Sequence, residues 1–435
     1  MKKIFLSSLA VLFSLAAMCQ TTLTLDVQSC REMALAHNED LMRAGNDARK
    51  AELDKQIALR GYLPKVDGTA MGTYMTDMPI MEGMELQMRG TYLAGINVVQ
   101  PLYAGGKIIA GNKLARIGKE CADENLRKTR MQVIADADNA YWTYISVGRK
   151  VRMLESYKTQ MDTVCRQVEV ALSAGMGVEN DLLRIRTKQS EIHYQLQKAR
   201  NGLDLCRLAL CNVLGQPLDT GIMPTDTILS VSAPAQMDEN ISARPELALL
   251  QKQVEASEQQ IKMARADVLP QIGLAGGYLY YGNIKLNGFS YDNGGNAVPF
   301  SQSLDDGIWQ VMVSLNIPLF HWGEGLKKVK KARLDLESAR LDLQKNQRLL
   351  SIEARQAVQN VTDGYRMVET AQLGCTQADE NLRVMQNRYR NALCTLTDLL
   401  DAQSQWQQAQ SNLIEAQTQY KLYETEYLRA TGRLE

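Results

Sequence analysis

The chain has 435 residues, with 49 basic and 49 acidic side chains and a net charge of zero. That balance supplies neither the basic surplus nor the basic patch that nucleic-acid binding needs. Three histidines, His37, His193 and His321, leave little for metal or acid–base chemistry, and aromatics at 6% with abundant Ala, Leu and Gln favour long helices over a large mixed core.

Residues 1–19 begin with Lys2 and Lys3, followed by an apolar run from Ile4 to Ala17. The run is too short for an ordinary membrane span, and small residues follow it, so the segment reads as an export signal cut near Cys19. Leu15-Ala16-Ala17-Met18-Cys19 also resembles a lipobox, with Met18 a poor residue before the cysteine, so cleavage there and lipidation of Cys19 both stay open. No later stretch approaches 18 uninterrupted apolar residues, and no transmembrane helix is expected. Of the eight cysteines, seven follow Cys19 and none forms a C-x-x-C pair; they read as free, small apolar residues of helices.

The chain says much of itself twice. One and the same offset carries Pro101 onto Pro318, Asp181 onto Asp398, and Gly215 onto Gly432. Two repeats are therefore expected, residues 20–217 and 246–435, joined by a linker at 218–245. No proline occurs between Pro101 and Pro217 or after Pro318, which permits very long helices there. Their apolar residues keep a seven-residue step with 3-4 spacing, as in Ala354/Ala357, Val361/Gly364 and Val368/Ala371, the seam of a coiled coil. The seam breaks at Gly175 and Gly177 and again before Thr395, so each zone is an antiparallel helix pair with a tight tip. The first arm is expected from about Lys107 to Ala174, roughly 100 Å at 1.5 Å per residue.

Four segments read as strands instead, near 65–76, 90–100, 271–282 and 307–317. Trp309, Val311, Val313, Leu315 and Ile317 alternate with Gln310, Met312, Ser314 and Asn316, giving one lipid-like face and one mostly polar face. The intervening "TDMPIMEGMELQMRG" and the Gly/Asn-rich stretch after Tyr281 are expected as hairpin loops. Each strand has the length of a tilted membrane strand, about ten residues, and aromatics such as Tyr92, Tyr278, Tyr280 and Trp309 cluster near the ends, as in the girdles of outer-membrane barrels. Four strands cannot close a membrane barrel, and open edges are forbidden in lipid. Several chains must share one barrel, and three copies give twelve strands.

With these features the chain resembles the TolC-like outer-membrane efflux proteins over nearly its whole length. The resemblance is carried by "LTLDVQSCREMALAHNEDL" at the first helix, "ARPELALLQKQVEASEQQIKMARADVLPQIGL" where the second half begins, "PLYAGGK" and "PLFHWGE" at two strand-to-helix junctions, and "RYRNALCTLTDLLDAQ" at a helix tip. It implies a mainly α fold with a membrane β-barrel portion: a homotrimer, a shared twelve-stranded barrel in outer-membrane lipid and a periplasmic α-helical tunnel. It further implies a passive duct of a tripartite efflux system, docking with a periplasmic adaptor and an inner-membrane transporter, and no cofactor or metal. Pro101 and Pro318 would mark where each repeat leaves the barrel for the tunnel.

The resemblance also assigns residues. Asp398 and Asp401, one helical turn apart, match acidic residues lining the closed tunnel entrance, where each would form a ring of three carboxylates that favours cations. Capping of the helix start is the local alternative for Asp398 and Asp181. Tyr389 and Asp181 match members of a hydrogen-bond network that holds the entrance shut, while plain seam packing also accounts for Tyr389. Cys394 stands where the family places an arginine, and Ala392 where it places a glycine, so the latch should differ here. The tips, with Gly175, Gly177, Ala392 and Leu393, would receive the adaptor. His321 beside Trp322 reads as a membrane-interface residue. No nucleophile–base pair, metal spacing or phosphate loop suggests an enzyme. The same duct serving type I protein secretion, and a soluble periplasmic coiled-coil scaffold, are the rival readings.

Overall fold

The computed structural model describes residues 22–226, 230–235, 237–292 and 295–435; the expected export signal and Cys19 lie outside them. The chain opens with strand β1 (Thr22–Leu25) and helices α1 (Val27–His37) and α2 (Glu39–Arg60). Asp26 sets the first helix start, its carboxylate accepting the Ser29 N–H at 2.7 Å. Four strands follow, β2 (Lys65–Thr73), β3 (Met78–Met81), β4 (Met84–Gln87) and β5 (Thr91–Ala104), then helices α3 (Lys107–Ser173) and α4 (Glu179–Val213). Strand β6 (Gly221–Pro224) and helix α5 (Pro245–Ala266) lead to β7 (Gln271–Gly282), β8 (Lys285–Tyr291), β9 (Ala297–Ser303) and β10 (Asp306–Asn316). Helices α6 (Glu324–Arg390) and α7 (Leu396–Ala430) complete the chain.

The proline-free zones are helical as their periodicity requires. Helices α3 and α6 each have 67 residues, and α4 and α7 each have 35. Every boundary of the second pair falls on its counterpart in the first by the same offset that relates Pro101 to Pro318. The seam is the buried stripe: Ala354, Ala357, Val361, Gly364, Val368, Cys375 and Leu382 are the buried residues of α6 together with Leu350.

Four strands form one antiparallel sheet in the order β10-β7-β5-β2, with β5 and β7 joining the two halves. The segments expected as hairpin loops are not loops throughout. They carry β3, β4, β8 and β9, which form a second four-stranded sheet in the order β3-β4-β8-β9. Two of these strands have only four residues around the Glu82-Gly83 turn, too short to show a period of two in the sequence; they gain their register from β8, where Met84 pairs with Gly288.

The strand-to-helix change comes after Pro101, whereas Pro318 lies between the end of β10 at Asn316 and the start of α6 at Glu324. Strand β5 runs through Pro101 to Ala104 with a bulge between Pro101 and Tyr103, a place where a missing N–H is tolerated. The turn is made by Gly105 and Gly106, at φ +60° and +87°. Its counterpart in the second repeat is Trp322 and Gly323, at φ +50° and +75°, again beyond the proline, Pro318.

The residues group into two compact units. Of the described residues, one holds 22–47, Asp123–Leu249 and Gln344–Glu435; the other holds Ala48–Ala122 and Leu250–Leu343, including both four-stranded sheets. In the first unit, a core around Tyr141, Cys30, Ala34, Ile145 and Leu210 packs beside the parallel pair β1–β6. Tyr141 donates to the Asp226 carboxylate at 2.8 Å. Asp138, fully buried, accepts from both Arg31 Nε and Nη2 at 2.7 and 2.6 Å and from the Thr425 hydroxyl at 2.7 Å. Segment 218–245 is not a bare connection: it contributes β6, packs Val231 and Met237 against Tyr420, and holds buried Arg244 to Glu353 at 2.8 Å. A second core near the tips takes Tyr157 and Met161 from α3, Ile185 from α4, Leu382 from α6, and Leu399 and Trp406 from α7. The seven described cysteines form no disulfide, and no described helix is long and apolar enough to cross a membrane.

Candidate functional site

The main sheet has two unlike faces. In register across it, Gly68, Ile96, Tyr278 and Trp309 form one row, and Val66, Val98, Gly276 and Val311 the next alternate row. Nothing polar beyond a tyrosine hydroxyl and an indole N–H stands there, and Trp309 and Val311 are 79% and 81% exposed. The row between them, on the other face, is Asp67, Asn97, Gly277 and Gln310. An apolar face turned to solvent beside a polar one is the pattern of a lipid-facing and lumen-facing sheet. Strands β2 and β10 each have a single partner in the sheet, so both outer edges keep unpaired backbone groups. At the junction Phe320 and Trp322 stack edge-on at 5.0 Å, with Trp322 90% exposed.

The two helix tips close with the same backbone. After α3, the Gly175 and Met176 N–H groups donate to the Leu172 and Ala171 carbonyls; after α6, those of Ala392 and Leu393 donate to the Tyr389 and Arg388 carbonyls. These are paired Schellman bonds, which need a left-handed residue after the helix. Gly175 takes φ +74° and Ala392 takes φ +54°. Gly177 is required for a different reason: a Cβ there would meet the Leu172 nitrogen at 2.9 Å. Met176, Val178 and Leu393 leave large apolar side chains exposed at the tips.

The four gate candidates behave differently. Asp398 closes a capping box with Thr395, accepting from its N–H at 3.0 Å and its hydroxyl at 2.8 Å. Those bonds hold its carboxyl below the usual range. Asp181 sits in the first turn of α4 but no side chain caps that helix at Val178. Asp401 is exposed and has no hydrogen-bond or ion partner among the described residues. Tyr389 is half-buried in the tip core with Leu182, Met385 and Leu400. Burial first, then the Asp181 charge and Cys394, pushes its phenol upward. The structure thus brings Tyr389, Asp181 and Cys394 into one neighbourhood, with no hydrogen bond between Tyr389 and Asp181 in the single chain. The Cys394 thiol turns back to the Met385 carbonyl at 3.6 Å. A link absent from the sequence reading joins the tips: Arg184 donates to the Thr397 hydroxyl at 2.8 Å.

A family model described as outer membrane efflux protein matches residues 30–216 and 237–433. The chain belongs to the outer membrane efflux protein family. Outer membrane protein OprJ of Pseudomonas aeruginosa is 22% identical over 416 residues, covering 92% of this chain and 82% of OprJ. The alkaline protease secretion protein AprF of the same organism is 22% identical over 344 residues, 76% of this chain and 67% of AprF. Among solved structures, the outer membrane protein VceC of Vibrio cholerae superposes with a TM-score of 0.76 at 16% identity, covering 93% of this chain and 96% of VceC. The resemblance to TolC-like proteins therefore holds for sequence and fold. This outer membrane efflux protein is an outer-membrane channel whose helices lie on the periplasmic side.

Proposed function

We propose that three copies of this efflux protein join their four-stranded sheets edge to edge into one twelve-stranded barrel, continued by their helices as a tunnel. The observation that carries this is the main sheet itself: an exposed apolar face, with β2 and β10 unpaired at its edges. Backbone groups left open in hydrocarbon cost several kcal/mol each, about 2–7, so in the membrane β2 of one copy must pair with β10 of the next. The two repeats, 20–217 and 246–435, then each contribute one hairpin arm and two barrel strands.

The duct is passive. Energy and cargo selection belong to an inner-membrane pump, reached through a periplasmic adaptor whose hairpins dock on the tips at Gly175, Gly177, Ala392 and Leu393. Small amphiphilic molecules, drugs among them, are the cargo. At the tunnel entrance Asp401, exposed and unengaged among the described residues, forms the carboxylate ring that favours cations. Asp398 is a weaker pore candidate, since its carboxylate is committed to Thr395. Tyr389 and Asp181 form the latch between neighbouring helices. A second reading, a duct for secreted proteins, draws on the 22% identity with the relative named for alkaline protease secretion.

The test is pairing of the edges. Ala70→Cys and Val311→Cys in one chain, both on the apolar face, should give disulfide-linked dimers and trimers in outer membranes, and a channel in planar bilayers. A monomer in detergent with no cross-link would overturn the trimer. Deletion of the gene then separates the cargo readings: lost drug tolerance supports small molecules, and loss of secreted proteins supports the second reading.

A further inference from the structure

Six of the chain's twenty methionines fall between Met71 and Met88, at Met71, Met75, Met78, Met81, Met84 and Met88. Methionine ordinarily fills irregular gaps in cores. Four of the six do not: Met71, Met75, Met78 and Met81 are exposed, Met78 by 53% and Met81 by 68%, while Met84 is half-buried. They crowd the β3–β4 hairpin, whose register sets Met81 opposite Met84 and, across a bulge between Pro79 and Met81, Met78 opposite Leu86. Met84 and Leu86 are two residues apart on one strand and so share a face. Met78, Met81 and Met84 therefore stand together on that face of the second sheet. Opposed side chains there have Cβ atoms about 4.5–5.5 Å apart and diagonal ones about 7–8 Å, and the three rotatable bonds of each methionine let the sulfurs close on one point.

The surroundings suit a cation. Across from Met84 stands Gly288, which brings no side chain, and the Met84 side chain and the Phe300 ring both crowd over that glycine. An aromatic face beside a bound cation adds attraction. Glu82 in the adjoining turn adds negative charge, while Glu85, next to Met84 on β4, stands on the opposite face and Asp77 is already matched by Arg89 at 2.9 Å.

We propose that Met78, Met81 and Met84 bind one soft monovalent cation, copper(I) or silver(I), through their thioether sulfurs. Thioethers select soft ions over hard ones such as magnesium or calcium. They carry no proton to displace, so binding should not depend on pH, unlike thiolate or imidazole sites. The proposal does not depend on the trimeric duct.

Silver(I) is the probe, titrated in chloride-free buffer into the purified full chain in detergent. Wild type is compared with Met78→Leu/Met81→Leu/Met84→Leu, which keeps the apolar volume and the same cysteines. Wild type should take up one more silver ion per chain, equally at pH 5 and pH 8. In protein carrying 13C-methyl methionine, the Met78, Met81 and Met84 methyl signals should move together. The exposed single change Met81→Leu should weaken binding at least tenfold, while Met71→Leu/Met75→Leu should leave it intact. Equal uptake by wild type and the triple variant, or equal loss in the Met71/Met75 control, overturns the site.

Discussion

At the first tip Gly175 takes φ +74°, and α4 starts after Val178 with no side chain to cap it. At the matching tip of the second repeat, Ala392 takes φ +54°, and Thr395 with Asp398 closes a capping box at the start of α7. Both tips make the same Schellman bonds. One therefore has an unstrained stop and an uncapped start, and the other a strained stop and a capped start. The repeat preserves backbone geometry while the side chains that stabilise it are exchanged. Interior positions diverge in the same way. Buried Asp138 in the first half has Arg355 as its counterpart, an exposed residue facing Glu239 at 3.2 Å.

That last pair gives the largest expected effect. Arg31→Met leaves the Asp138 charge buried with only the Thr425 hydroxyl for company and should cost about 3–5 kcal/mol, whereas Arg355→Ala should cost less than about 1 kcal/mol as an exposed pair. Denaturant midpoints of the two variants, measured side by side, check the contrast; equal values would refute it. Next come the left-handed residues. Ala392→Gly should stabilise the second tip by about 1 kcal/mol and Gly175→Ala should weaken the first by a similar amount, read by amide hydrogen exchange at each tip. Trp322→Gly should relax the junction on the same scale, while removing an exposed aromatic of the kind that anchors proteins at membrane interfaces.

Exchanging the caps is the smaller test. Thr395→Val should lose about 1 kcal/mol and Val178→Thr should gain up to that amount, each confined to the first turn of its own helix. The smallest effect is set by pH. The folded-state pKa of Asp398 is depressed from its ordinary 3.8, so its capping bond contributes above that value and is lost as pH falls through the lower folded one. Below pH 3.8 the start of α7 should fray while the Val178 end changes less. If both ends fray alike, the capping box is not what separates the tips.

The long helices were legible almost to the residue, with Ala174 expected and Ser173 observed as the end of the first arm. Proline-free stretches, a strict seam and turn glycines all point the same way there. The main strands were legible because alternation persists over their length, as in β10. Strands β3 and β4 were not, since four residues around Pro79 and Gly83 carry no readable period. The junction was placed too early at Pro101 because a proline in an edge-like bulge looks from the sequence like a strand end. Among the gate residues, the local capping of Asp398 could be weighed in advance. The missing cap at Val178 was legible too, because the repeat sets that valine against Thr395; the Arg184–Thr397 bridge was not, since it depends on tertiary placement that spacing alone does not encode.

The matched 67-residue arms also limit how the chain can change. Dropping a single residue from one helix would pull its tip back by about 1.5 Å and rotate everything beyond by about 100°, turning seam residues such as Val368 toward water. Length changes should thus be confined to whole seven-residue steps made in both arms together, and drift in chain length should accumulate in the outer hairpins instead.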